Sequence, residues 1–224
     1  MTNDIPASTQ IHKLRAREDM LAAIMAGNTE AVARILDAHP EFAKTSYMIG
    51  FAASSGIPET IALLIEKGVS PDAETSSGEH PLHLAVKAAK PANIRTLINH
   101  GAYINITAGD DRGWTPLHYA VTSGNIEAIN ILLEKNADPA RSGKNEGDTP
   151  LALAESYPKM YNLLEAARKA QINEAVHQSW LREQQRLQSR YKPSSLKFPP
   201  KNGNGPGQSK EPPVPAFRPN GPFV

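Results

Sequence analysis

The chain has no cysteine. That excludes disulfides, thiolate metal sites and cysteine nucleophiles, and nothing argues for an oxidising compartment. Long apolar runs are missing as well. No stretch approaches the ~20 residues that cross a bilayer. The N-terminal segment MTNDIPASTQIHKLRARED lacks the apolar core of a secretion signal. The net charge is +1, so no global field draws the chain to nucleic acid or membrane. The phosphate-cradling patterns GxxxxGK[ST] and GxGxxG are absent, as is the GxSxG elbow, and Gly143-Lys144 has no second glycine at the right place. These absences predict a cytoplasmic protein, a monomer, with no cofactor, no nucleic-acid or membrane partner and no catalysis of its own.

What is present divides at Tyr191. The segment from Lys192 to Val224 carries Lys192, Lys197, Lys201, Lys210 and Arg218 against Glu211 alone, and it holds nine of the nineteen prolines. Such a segment buries too little apolar surface to offset chain entropy, so residues 192–224 are expected to be a disordered basic tail. Pro212 and Pro215 form a weak PxxP pattern, and Pro222-Phe223-Val224 ends the chain on apolar residues.

Before the tail the chain repeats itself. Tyr47 opens YMIGFAASSG, followed by IPETIALLIEKGVSPD; His80 opens HPLHLAVKAA, followed by IRTLINHGAYIN; Thr115 opens TPLHYAVTSG, followed by NIEAINILLEKNAD. Thr149 begins a further copy, TPLALA, and a weaker first copy, MLAAIMAGNTEAVARILDAHP, begins near Glu18. The small turn residues Gly68, Gly101 and Asn136 stand at the same place in their copies. Each copy reads as two short helices. Thr115 suits a helix N-cap, with Pro116 in the first turn where a missing N–H costs nothing. Leu117, Ala120 and Val121 follow as a buried stripe, and Ile129, Leu132 and Leu133 pack the second helix. The alanines Ala52, Ala85, Ala120 and Ala154 recur where two helices cross closely. Gly56 and Gly124 end the first helix, where a left-handed backbone is expected; Ala89 fills that slot in the third copy. Pro58 and Pro91 suit the start of the second helix.

The period and the TPLH motif resemble the ankyrin repeat, over roughly residues 18–168. The resemblance implies an all-α solenoid of stacked antiparallel helix pairs with projecting β-hairpin tips near Ser76, Asp111 and Asn145. The expected organisation is residues 1–17 as an N-terminal extension, 18–168 as repeats, 169–191 as a capping helix and 192–224 as the tail. His83 and His118 fall on the histidine of the motif, where the side chain is expected to bond backbone and tie repeats together rather than hold a metal. The resemblance also implies a non-catalytic adaptor or scaffold that binds a protein partner. The alternatives are a host-delivered effector using the same surface, or a regulatory subunit of an enzyme assembly. The usual variable positions map to Ser76, Ser77 and Glu79 at one tip, Asp111, Arg112 and Trp114 at the next, and Asn145, Glu146 and Asp148 at the third. On the inner helices they map to Lys87, Ala88, Thr122 and Ser123, with Tyr119 beside them. Trp114 is expected to stand exposed as a binding anchor, and Asp110-Asp111 to be solvated turn charges.

After the repeats, Ile172, Val176, Trp180, Leu187 and Tyr191 line one face of an amphipathic helix, and Arg182, Arg186 and Arg190 another. The expected role of the apolar face is to cover the last repeat.

Overall fold

A computed structural model describes residues 7–190. The N-terminal tip of the chain and the whole proline-rich tail, with its PxxP pattern and apolar C-terminus, lie outside the described residues. The chain divides into two units, Met1–Ser179 and Trp180–Val224, and all the repeats lie in the first.

The described residues form helices only. They pair as α1 (Ala7–Met25) with α2 (Thr29–Ala38), α3 (Ser46–Ser55) with α4 (Pro58–Glu66), α5 (Pro81–Lys87) with α6 (Pro91–Asn99), and α7 (Pro116–Thr122) with α8 (Ile126–Glu134). A short α9 (Pro150–Leu153) is followed by α10 (Pro158–Arg190), and a 3₁₀ turn spans Pro40–Lys44. First helices pack on first helices, α1 on α3 on α5 on α7 on α9, and second helices on second helices, α2 on α4 on α6 on α8. The tips close with turn hydrogen bonds, such as Thr75 N–H to the Glu79 carbonyl at 2.8 Å, without regular strands among the described residues.

The local chemistry follows from the repeat. Proline opens α4, α5, α6, α7 and α9. Its fixed φ suits the first turn, and the donor it lacks would have been orphaned there. Thr115 stands at the N-cap of α7 in extended backbone. Asn28 and Asn125 cap α2 and α8, each accepting a backbone N–H at 3.0 Å. The recurring alanines Ala52, Ala85, Ala120 and Ala154 are wholly buried, as are Ile129 and Leu132. A larger side chain there would force the crossing helices apart.

Two neutral histidines stitch one repeat to the next. His83 Nδ1 accepts the His80 N–H at 3.2 Å, and its Nε2 donates to the Trp114 carbonyl at 2.9 Å. His118 repeats the pattern, accepting the Thr115 N–H at 3.0 Å and donating to the Asp148 carbonyl at 2.9 Å. A ring nitrogen that accepts a backbone N–H cannot carry a proton, so the Nε2–H tautomer is fixed. Burial disfavours the charged ring and pushes His83 down to about 4, against the opposing pull of the Trp114 carbonyl; His118 is lowered for the same reason. A second stitch was not visible in the repeat pattern. Asn93, buried in α6, donates from Nδ2 to the carbonyls of Ala53 at 3.0 Å and Gly56 at 3.1 Å, satisfying groups that the end of α3 leaves open.

Three expectations change. Gly56 does not adopt a left-handed backbone; its φ is −81°. It is needed for space, because a Cβ there would sit 2.8 Å from the Ala52 carbonyl oxygen. Gly124 and Ala89 do take positive φ, 66° and 51°. Second, the boundaries expected at residues 18 and 169 both fall inside continuous helices, α1 and α10. Third, Ile172 and Val176, the part of the C-terminal helix's apolar face that lies in the first unit, are not buried. Met160 and Leu164 near the start of α10 are buried, but Ile172 and Val176 are at least half exposed, and Trp180 is exposed too. Gln171 of α10 donates from Nε2 to the Ala137 carbonyl beyond α8 at 2.9 Å. Within the second unit, Arg186 pairs with Glu183 at 3.6 Å.

Candidate functional site

The fourteen positions implied by the repeat resemblance differ in exposure. Ser76, Ser77, Lys87, Asp111, Arg112, Thr122, Ser123, Asn145 and Glu146 are exposed; Glu79, Trp114 and Asp148 are half-buried, and Tyr119 is buried. Ala88 is half-buried.

The less exposed residues belong to a network running across the third, fourth and fifth repeats. Glu79 Oε1 lies 2.8 Å from Lys87 Nζ. Lys87 Nζ stands over the Tyr119 ring, 5.5 Å from its centre. Tyr119 Oη donates to Asp110 Oδ2 at 3.1 Å. Arg112 lies 3.6 Å from the same carboxylate, and its guanidinium sits 4.4 Å over the Trp114 ring. Trp114 Nε1 donates to Asp148 Oδ2 at 2.6 Å, and the indole stacks on His118. Trp114 is therefore not a projecting anchor. Its ring fills the space between two tips, and its N–H reaches a carboxylate that lies 34 residues on in sequence. The exposed member of the pair is Arg112.

Asp110 also departs from expectation. Its Oδ1 accepts the N–H groups of Arg112 at 3.1 Å and Gly113 at 2.9 Å, which makes it the organiser of the middle tip. Burial would raise its carboxyl, but the Gly113, Tyr119 and Arg112 hydrogen bonds outweigh that and hold it below the usual carboxylate range. The same contact acts oppositely on its partner. Burial, followed by the Asp110 charge, pushes the Tyr119 hydroxyl up to about 12.

Backbone bonds join the tips sideways. Gly109 N–H donates to the Gly78 carbonyl at 2.6 Å, and Lys144 N–H to the Arg112 carbonyl at 2.8 Å. Farther from the tips, Asp72 Oδ1 accepts the Tyr103 N–H and Asn105 Oδ1 accepts the Asp138 N–H, at 3.0 and 2.8 Å. The exposed tip residues thus stand on a braced row.

His80 and His83 are near one another, but both nitrogens of His83 are already engaged by backbone. Among the described residues no three His, Asp or Glu gather in a metal-holding group, and no helix is long and apolar enough to cross a membrane.

The helix pairs, their alternating stack and the motif histidines define a repeat protein, and comparison with known proteins agrees. Residues 20–108 and 106–175 match the family model for ankyrin repeats (three copies). The chain belongs to the ankyrin-repeat family. It is 38% identical over 100 residues to human neurogenic locus notch homolog protein 4, covering 44% of this chain and 5% of that protein. It is 29% identical over 141 residues to the mouse B-cell lymphoma 3 protein homolog, covering 58% of this chain and 31% of that protein. Mouse 2-5A-dependent ribonuclease matches at 41% over 70 residues, 31% of this chain and 9% of that protein. The chain therefore spans less than a third of each of these relatives. Ankyrin repeats are generally protein–protein interaction modules, and the family is typically non-catalytic.

Proposed function

We propose that this chain is a non-catalytic adaptor or scaffold that holds a protein partner along its tips and the adjoining inner helices. The observation that carries the reading is the braced row. Ser76, Ser77, Asp111, Arg112, Asn145 and Glu146 are exposed at successive tips, whose backbones are bonded to one another. A surface held in place before binding loses little conformational entropy when a partner docks. Arg112 is the anchor of this reading: an exposed guanidinium, held over Trp114 and beside Asp110, presents a pre-oriented donor at the middle tip. Thr122 and Ser123 extend the surface onto α7.

The test replaces Arg112, Asn145 and Glu146 together with alanine and compares partner capture with wild type. Retained helical signal with lost capture supports the reading; unchanged capture refutes it.

A further inference from the structure

A groove on the inner side of the second and third repeats lies beside the first tip and outside the Arg112 network. Tyr47, Gly50 and Phe51 of α3 and Leu84 of α5 line it, with Ser76 and Ser77 of the tip. Its volume is about 220 Å³. That is below the ~300–1,000 Å³ of pockets that enclose a small-molecule ligand, and it suits a single large side chain. Gly50 is a device of this groove. Its φ is ordinary, yet a Cβ there would stand 2.9 Å from Thr75 Cγ2 and 3.1 Å from Leu84 Cδ1. Glycine lets α5 and the tip close on α3 while the aromatic rings on either side stay open. Tyr47 and Phe51 are stacked, with ring centres 6.2 Å apart, and Tyr47 is 43% exposed.

A cation without an ion-pair partner among the described residues stands beside the groove. The Arg17 guanidinium sits 4.5 Å over the Tyr47 ring and makes no ion pair among the described residues. Its neighbours three and four residues away on α1 are Lys13, Leu14, Met20 and Leu21, so no acidic side chain shares that row. Leu14, one turn along, is exposed. The acidic residue on the other side, Glu79, is already neutralised by Lys87 and lies 3.4 Å from Ser77 Oγ. A cation already desolvated on one face by an aromatic ring, next to an apolar cleft, matches an anionic group next to an apolar side chain.

We infer that this groove receives an acidic peptide segment of the partner, seating one large aromatic or aliphatic side chain between Tyr47, Phe51 and Leu84 while a neighbouring Asp or Glu pairs with Arg17. The inference rests on the protein-binding reading above and names the chemistry of what is bound. Ser76 and Ser77 add an exposed polar rim to the groove.

The test selects a displayed random dodecapeptide library against the full chain. Enriched sequences are expected to pair Phe, Trp, Leu or Ile with an adjacent Asp or Glu. Synthetic copies should bind Arg17→Glu at least about tenfold more weakly, and should also lose affinity for Tyr47→Ser. Arg17→Lys, which keeps the charge, should retain most of it, and added salt should weaken binding. Thermal melts of each variant separate lost binding from lost fold. Enrichment of neutral or basic peptides, or affinity indifferent to Arg17→Glu, overturns the inference. So does a library that yields no enriched peptide. Peptides lost on Asn145→Lys and Glu146→Lys but not on Arg17→Glu would place recognition at the tips, overturning the groove while leaving the protein-binding reading standing.

Discussion

The buried histidines make stability depend on pH, with a sign and size that follow from the structure. His83 is wholly buried, accepts a backbone N–H at one nitrogen and faces a carbonyl with the other. A second proton would set two N–H groups against each other. Its folded value is therefore depressed to about 4, against about 6.5 for an unfolded histidine. Between these values the unfolded chain binds a proton that the folded chain refuses. The stability is fully present above about 6.5 and is lost as pH falls towards 4. Each unit of difference corresponds to about 1.4 kcal/mol, so His83 alone should remove about 2 kcal/mol between pH ~7.5 and pH ~5, where most carboxylates are still ionised. His118 is shifted in the same direction and adds to the loss. Urea unfolding at the two pH values measures it. His83→Gln should be less stable at the upper pH, because the partners of the ring are left poorly matched, but it should lose about 2 kcal/mol less than wild type on acidification. An identical pH dependence in wild type and His83→Gln would refute the claim that this ring is held neutral.

Other substitutions test the packing. Trp114→Phe keeps a ring but leaves Asp148 without its indole donor, and should lower stability by about 1–2 kcal/mol in a denaturant titration; Asp148→Asn combined with it should be less than additive. Leu117→Ala should lower it by about 2–5 kcal/mol by opening a cavity between stacked helices. Gly56→Ala should destabilise by about 1–3 kcal/mol through its clash with the Ala52 carbonyl, although its backbone angle is ordinary. Gly124→Ala should destabilise through its positive φ with no clash at all, and Ala89→Gly should raise the melting temperature slightly by relieving the same strain.

The stack was legible in sequence because each copy repeats the same local physics. An alanine where helices cross recurs in four copies, a proline that opens the first helix in three of them and a histidine three residues after the cap in two. What sequence hid is how one repeat touches the next. Trp114 looked like an exposed anchor because its partner, Asp148, lies a full repeat away. Asp110 looked like a solvated turn charge because neither the Gly113 N–H nor the Tyr119 hydroxyl is marked in a string of letters. Gly56 and Gly124 occupy the same register, yet one is required for space and the other for its φ. The face of α10 carried the periodicity of a buried helix, but periodicity does not supply a neighbour, and Ile172 and Val176 stay at least half exposed. The groove beside Arg17 carries no sequence signature, because Gly50 and Phe51 stand where the repeat motif prescribes nothing and Arg17 comes from outside it.

The most direct test of the account places a photo-crosslinking amino acid at Ser77, at Asn145 and, on the far side of α8, at Glu127, all exposed positions. Each variant is irradiated in the presence of cell extract, and the adducts are identified by mass. One shared protein adduct is expected from Ser77 and Asn145 and none of that species from Glu127. The same adduct from Glu127 with none from either tip would contradict it and put the binding surface on the second helices instead.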